Sequence, residues 1–159
     1  MSLAEKVLKA ARAKGWRIVT AESCTGGMVA AALTDIAGSS DVFERGYVTY
    51  SNLSKAQMLG VDGEAIAKHG AVSEEVALQM ATGALKEAGA DLSVAITGVA
   101  GPGGSENKPE GMVWFSVSTK HETLSDLQQF GEIGRERVRS SARDHALSML
   151  LSVIEKPNY

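Results

Sequence analysis

A strand that breaks on two glycines and restarts as a helix most restricts what this chain can become. Arg17-Ile18-Val19-Thr20 is a short, largely β-branched run. It leads through Ala21-Glu22-Ser23-Cys24-Thr25-Gly26-Gly27 into a stretch where Val29, Leu33 and Ile36 mark one helix face, ending at Gly38. Residues 17–22 read as a buried strand. A second aromatic and β-branched run follows at 43–50. The crossover between the two is long enough for a parallel βαβ unit.

The same alternation continues along the chain. Short helices are expected at 52–59 and 62–69. A longer one starts at Ser73, a good N-cap with Glu74 and Glu75 in the first turn, and runs through Val76, Met80 and Leu85 to Gly89. A third strand at 92–97 precedes the glycine-rich segment 98–104. Residues 105–110 are polar, carry Pro109 and read as a mobile surface loop. Strands at 112–119 and 124–131, joined by the tight His121-Glu122 link, imply an antiparallel hairpin. Leu3, Val7, Leu8 and Ala11 mark a first helix stopped by Gly15. Val138, Ala142, Met149 and Val153 mark a last one at 135–154. Strands alternating with helices indicate a three-layer α/β domain with a mostly parallel sheet.

At 159 residues the chain is expected to form one domain with one sizeable core. A net charge of −3 argues against a broad footprint for nucleic acid. The single cysteine, Cys24, excludes an internal disulfide and any multi-cysteine metal site, which fits a reducing cytoplasm. The first residues lack the apolar core of a signal peptide, and no apolar run approaches membrane-spanning length. His69, His121 and His145 are dispersed without metal-ligand spacing, so no metal site is expected. His145 lies on the apolar stripe of the last helix and reads as a half-buried core residue.

In open α/β sheets, ligands sit beyond the carboxyl ends of the strands. Segments 22–27, 50–55 and 97–104 leave three such ends and converge if those strands are parallel. In the first, side-chain alternation places Ser23 and Thr25 on one side and turns Cys24 away. Ser23 is then the better nucleophile, against the alternative of a hydroxyl that merely caps the next turn. In the second, Ser51 or Asn52 caps a short helix and puts Lys55 in its first turn. Lys55 is either a base with a lowered pKa or an ordinary solvated lysine. Tyr50 either lines the site or packs in the sheet. In the third, four glycines in eight positions allow an anion nest, although a tight turn explains them as well and no P-loop pattern is present. Arg135 and Arg139 share a helix face and suit a phosphate or carboxylate, whereas Arg137 and Arg143 read as solvated.

These segments together resemble the CinA C-terminal-domain family, whose enzymatic members are nicotinamide mononucleotide (NMN) amidohydrolases. The matching text is residues 21–27, 36–40, 43–52, Lys55, 70–73 and 97–104, spread over about residues 5–155. The resemblance implies an α/β/α sandwich with a mixed five-stranded sheet, order 2-1-3-4-5, strand 4 antiparallel, built as one domain over 1–159. It implies a serine–lysine amidohydrolase that needs no cofactor or metal and acts in pyridine nucleotide recycling. Ser23 would be the nucleophile and Lys55 the base, with Thr25 and Tyr50 orienting the reacting groups. Backbone N–H groups near Thr25 to Gly27 would hold the oxyanion. Glu22, Gly26, Gly27, Thr97, Gly98, Ala100, Gly101 and Arg135 or Arg139 would bind substrate. The alternative is a non-catalytic nucleotide-binding or adaptor module related to competence proteins. The expected partner is the nucleotide alone, without nucleic acid or membrane, and a homo-oligomer is plausible. Two departures stand out. The N-terminal nucleotide-hydrolysing domain of many relatives has no counterpart here. Gly134 also stands where relatives often carry an acidic residue before the arginine.

Overall fold

The computed structural model describes residues 1–157. Its strands are β1 (Ile18–Glu22), β2 (Phe43–Val48), β3 (Leu92–Gly98), β4 (Met112–Ser118) and β5 (Thr123–Gln129). They form one mixed sheet in the order β2-β1-β3-β4-β5. β1 pairs in parallel with β2 and β3, and β4 runs antiparallel to both its neighbours. The helices are α1 (Leu3–Lys14), α2 (Met28–Thr34), α3 (Asn52–Leu59), α4 (Gly63–His69), α5 (Glu74–Ala88) and α6 (Arg135–Ile154). α1, α2 and α6 pack on one face of the sheet; α3, α4 and α5 pack together on the other side, with α5 against the sheet.

Covering both faces explains why the central strands are so apolar. In β1, Ile18 joins the core under α1, α2 and α6, whereas Val19 and Ala21 join the core under α5. β3 repeats the alternation, with Leu92, Val94 and Ile96 on the first side and Ala95 on the second. Each such Leu, Ile or Val side chain, fully buried, contributes roughly 1.5–3 kcal/mol. The helix ends follow local chemistry. Ser2 and Glu5 close a reciprocal capping box on α1, Ser51 caps α3 through the Ser54 N–H, and Ser73 caps α5 through the Val76 N–H. Among the described residues no helix is long and apolar enough to cross a membrane.

Three expectations are corrected. α2 ends at Thr34 rather than reaching Gly38. Arg12 on α1 bonds the Gly38 carbonyl and both Asp41 oxygens, which draws the connection into a short 3₁₀ turn at Ser39–Asp41. β2 ends at Val48, two residues early: Thr49 N–H still bonds the Glu22 carbonyl, but the Thr49 and Tyr50 carbonyls accept from Lys55 Nζ. The 105–110 segment is folded. Ser105 and Lys108 form a β-bridge closed by two backbone hydrogen bonds of 3.0 and 2.8 Å. Its two central residues, Glu106 and Asn107, both have positive φ, 54° and 62°. The pair turns as a tight hairpin does, and asparagine tolerates that conformation better than glutamate.

α3 lies so close to α5 that Gly83 touches it. A Cβ added at Gly83 would sit 1.9 Å from the Leu59 carbonyl oxygen. Gly83→Ala should therefore destabilise the chain by about 1–3 kcal/mol through overpacking, although alanine favours an isolated helix by about 1 kcal/mol. A urea titration of both proteins checks this. Unchanged stability would mean that α3 is not seated as described.

Candidate active site

The parallel pairing sets the ends of β1, β2 and β3 side by side. Glu22 is in register with Val48 on one side and Ile96 on the other. The chain leaves all three strands at one edge, and residues beyond them line a cleft of about 420 Å³.

Lys55 reaches the floor of this cleft from α3. It shares a helix face with Leu59, four residues on, and both are buried. Its Nζ lies 3.2 Å from Ser23 Oγ, 2.9 Å from the Thr49 carbonyl oxygen and 3.3 Å from that of Tyr50. The side chain is 1% exposed. Burial disfavours the ammonium and pushes the Lys55 pKa below its ordinary value, against the opposing field of Cys24 and Glu106. Two carbonyl acceptors match the two N–H bonds of a neutral amine. Its lone pair is then left for the Ser23 hydroxyl.

Ser23 is held by its own backbone. Its N–H donates to the Ile96 carbonyl, and its carbonyl accepts from Gly26 N–H, each at 3.0 Å. That second bond makes Gly26 N–H unavailable to an oxyanion, contrary to expectation. The N–H groups of Cys24 and Thr25 have no carbonyl or carboxylate acceptor among the described residues. Cys24 borders the cleft but is 4% exposed and packs in the core cluster with Val29, Leu33 and Val138. Burial raises its thiol to about 12, so it is a packed group rather than a nucleophile. Thr25 lies outside the cleft, with its hydroxyl buried and unpartnered.

Glu22, Gly26 and Gly27 also fall outside the cleft lining. The Glu22 carboxylate turns back under α2 and accepts the Val29 and Ala30 N–H groups at 2.9 and 3.1 Å. The chain thus fills the anion slot at this helix start with its own side chain. Gly26 and Gly27 hold the turn at φ of 58° and 107°, conformations that favour glycine.

The two arginines separate. Arg135, in the first turn of α6, lines the cleft and donates to the Gly101 carbonyl at 2.6 Å and to Tyr50 Oη at 2.9 Å. Arg139, one turn deeper, donates to the Cys24 and Thr25 carbonyls and clamps the serine turn from behind. Tyr50 lines the cleft and is largely exposed. Thr97, Gly98, Ala100 and Gly101 line the opposite wall, where Thr97 Oγ1 donates to the Ala71 carbonyl. In the glycine-rich segment Val99 N–H bonds Met112, and Gly103 N–H bonds Glu110 Oε1. The N–H groups of Ala100, Gly101 and Gly104 have no acceptor among the described residues.

Sequence reasoning missed Asn52, Ser105 and Glu106 in the lining. Glu106 accepts the Ala71 and Val72 N–H groups at 3.0 and 3.2 Å. Burial opposes its ionisation, but these two bonds with Lys108 and Lys55 hold the carboxyl below its usual range. Lys108 donates to the His69 carbonyl at 2.6 Å and to the Val72 carbonyl. The only sequence signal for this turn was Asn107, a residue suited to positive φ; nothing local marked Glu106. Elsewhere, His145 is half-buried as expected, with Nε2 2.7 Å from Asp126 and its ring against Phe115. Among the described residues no group of three or more His, Cys, Asp or Glu could hold a metal ion.

Comparison with known proteins gives matches over nearly the whole chain. A family model described as the CinA C-terminal domain matches residues 1–154. Nicotinamide-nucleotide amidohydrolase PncC of Escherichia coli is 55% identical over 152 residues, covering 94% of this chain and 92% of that protein. The protein of the same name from Enterobacter agglomerans is 49% identical, with the same coverages of 94% and 92%. The crystal structure of competence/damage inducible protein CihA from Agrobacterium tumefaciens superposes with a TM-score of 0.93 at 45% identity, covering 97% of this chain and 94% of that one.

The internal cap has a measurable consequence. Glu22→Ala leaves one buried and one part-buried N–H group of α2 without an acceptor and should cost about 2–4 kcal/mol. Denaturant unfolding of the variant checks this; a loss under about 0.5 kcal/mol, the range of a neutral surface change, would contradict the cap.

Proposed function

The chain belongs to the CinA C-terminal domain family, and from that membership and the cleft geometry we propose that it hydrolyses the carboxamide of NMN to nicotinate mononucleotide and ammonia, as one amidohydrolase domain acting in pyridine nucleotide recycling. The observation that carries the proposal is the Lys55 Nζ–Ser23 Oγ contact of 3.2 Å on a buried, desolvated lysine. A module that only bound nucleotide would gain nothing from burying an amine against a hydroxyl, because that burial costs free energy.

In the proposed reaction, neutral Lys55 takes the Ser23 proton as Oγ bonds to the carboxamide carbon. The carbonyl π pair moves onto oxygen. The Cys24 and Thr25 N–H groups supply donors of the kind that oxyanion needs. Protonated Lys55 then passes its proton to the amide nitrogen as the C–N bond breaks and ammonia leaves. Water, deprotonated by Lys55, attacks the acyl-serine; the ester C–O bond breaks, and Ser23 Oγ regains a proton. Arg135 and the unengaged N–H groups of Ala100, Gly101 and Gly104 suit the phosphate. Tyr50, bonded to Arg135, links that end of the cleft to the lysine through its own backbone carbonyl. Nucleophile, base and proton donor all come from the chain, so the proposed chemistry uses no metal.

The direct test is ammonia release from NMN by the purified chain in the presence of a chelator. Ser23→Ala and Lys55→Ala should each lower kcat/KM by about a thousandfold or more. Activity surviving in both would defeat the proposal. Lys55→Arg keeps the charge but cannot act as a base and should be equally inactive.

The pH profile follows from the sign of the Lys55 shift. Only the deprotonated amine is active, and its pKa lies below the ordinary 10.5. kcat/KM should therefore rise with pH through a limb centred below 10.5. A profile that falls across that interval would contradict a lysine base.

A further inference from the structure

Glu106 is the one carboxylate among the described residues that line the cleft, whose basic side chains are Lys55 and Arg135. Its position is built at some expense. The backbone at Glu106 adopts a φ of 54°, which a glutamate rarely takes without support. That support comes from the 70–73 connection, through the two N–H groups bonded to its carboxylate. Lys108 ties the same turn to the same connection through the His69 and Val72 carbonyls. Four-point anchoring of a four-residue turn places a fixed negative charge on the cleft wall. Lys108 Nζ lies 3.8 Å from Glu106 Oε1 and balances part of that charge; the Glu106 side chain lines the cleft and stays 31% exposed.

The proposed substrate is a zwitterion, with a phosphate at one end and a quaternary pyridinium ring at the other. Arg135 and the free N–H groups near it answer the phosphate. Nothing in the serine–lysine chemistry answers the ring's positive charge. We propose, on the premise that NMN is the substrate, that Glu106 selects for the cationic ring and is a specificity-determining residue of this site. A carboxylate held within electrostatic reach of the reacting lysine stabilises a cation there more than a neutral ring of the same shape. Glu106 also opposes loss of the Lys55 proton in the empty site. A cation seated against Glu106 offsets that opposition as the base is needed.

The test compares two ligands with the same carboxamide, ribose and phosphate: NMN, with a charged ring, and reduced NMN, whose dihydropyridine ring is neutral. Affinities are measured by calorimetry in Ser23→Ala and in Ser23→Ala/Glu106→Gln, so that hydrolysis does not interfere. Removing the charge should reduce the preference for NMN over reduced NMN by about tenfold, the worth of one partly screened charge pair. A Glu106 that served only to fold the turn would weaken both ligands equally; an unchanged ratio therefore overturns the inference. Ser23→Ala/Glu106→Asp, which keeps the charge, should retain most of the preference even if both affinities fall. An aspartate variant with the glutamine's ratio also overturns it. Lack of NMN hydrolysis by the unsubstituted chain would defeat the proposed function, a result independent of this ratio.

Discussion

A lysine amine buried with no carboxylate of the described residues at ion-pair distance is the constraint around which this structure is arranged. Lys55 Nζ meets one hydroxyl and two backbone carbonyls. Bringing a charged ammonium there from water is unfavourable, and the penalty is reduced by shedding the proton. The site must therefore be paid for by the packing around it. That packing is the tight seat of α3 on α5, with Gly83 against the Leu59 carbonyl, and the apolar cluster of Leu59, Val61, Val76 and Met80 beneath.

The serine side obeys a different logic. Its turn must be sharp, left-handed at Gly26 and Gly27, and rigid. The Glu22 carboxylate holds α2 from one side, and the Arg139 guanidinium holds the Cys24 and Thr25 carbonyls from the other. Two charged groups that look like ligand contacts in the sequence are thus spent on the chain's own backbone. With the helix start occupied, the phosphate of the proposed substrate would have to meet the third segment, where Arg135 and N–H groups without an acceptor among the described residues remain.

The glycine-rich wall and the 105–108 turn show how polar loops gain rigidity without a core. Gly103 is bonded by Glu110, and Glu106 and Lys108 reach across to the end of α4 and the connection that follows it. A composition that reads as mobile in one dimension is fixed in three by groups more than thirty residues away. Local polarity signals exposure, but order depends on partners that a local window does not contain.

Much was legible from the chain alone. Strand and helix order, the cap at Ser73, a cap at Ser51 or Asn52 and the hairpin of β4 and β5 follow from local periodicity and turn chemistry. The convergence of three segments at one edge follows from parallel pairing. Lys55 even carried a sign of its burial, since it shares a helix face with Leu59. Tertiary structure decided the rest. It separated Arg135, which lines the cleft and meets Gly101 and Tyr50, from Arg139, which meets the Cys24 and Thr25 carbonyls. It turned Glu22 inward under α2, and it placed Glu106 on the wall. The physical reason is the same in each case. Periodicity assigns a residue to a face, whereas a hydrogen-bond partner is set by the distance between segments brought together only when the sheet closes.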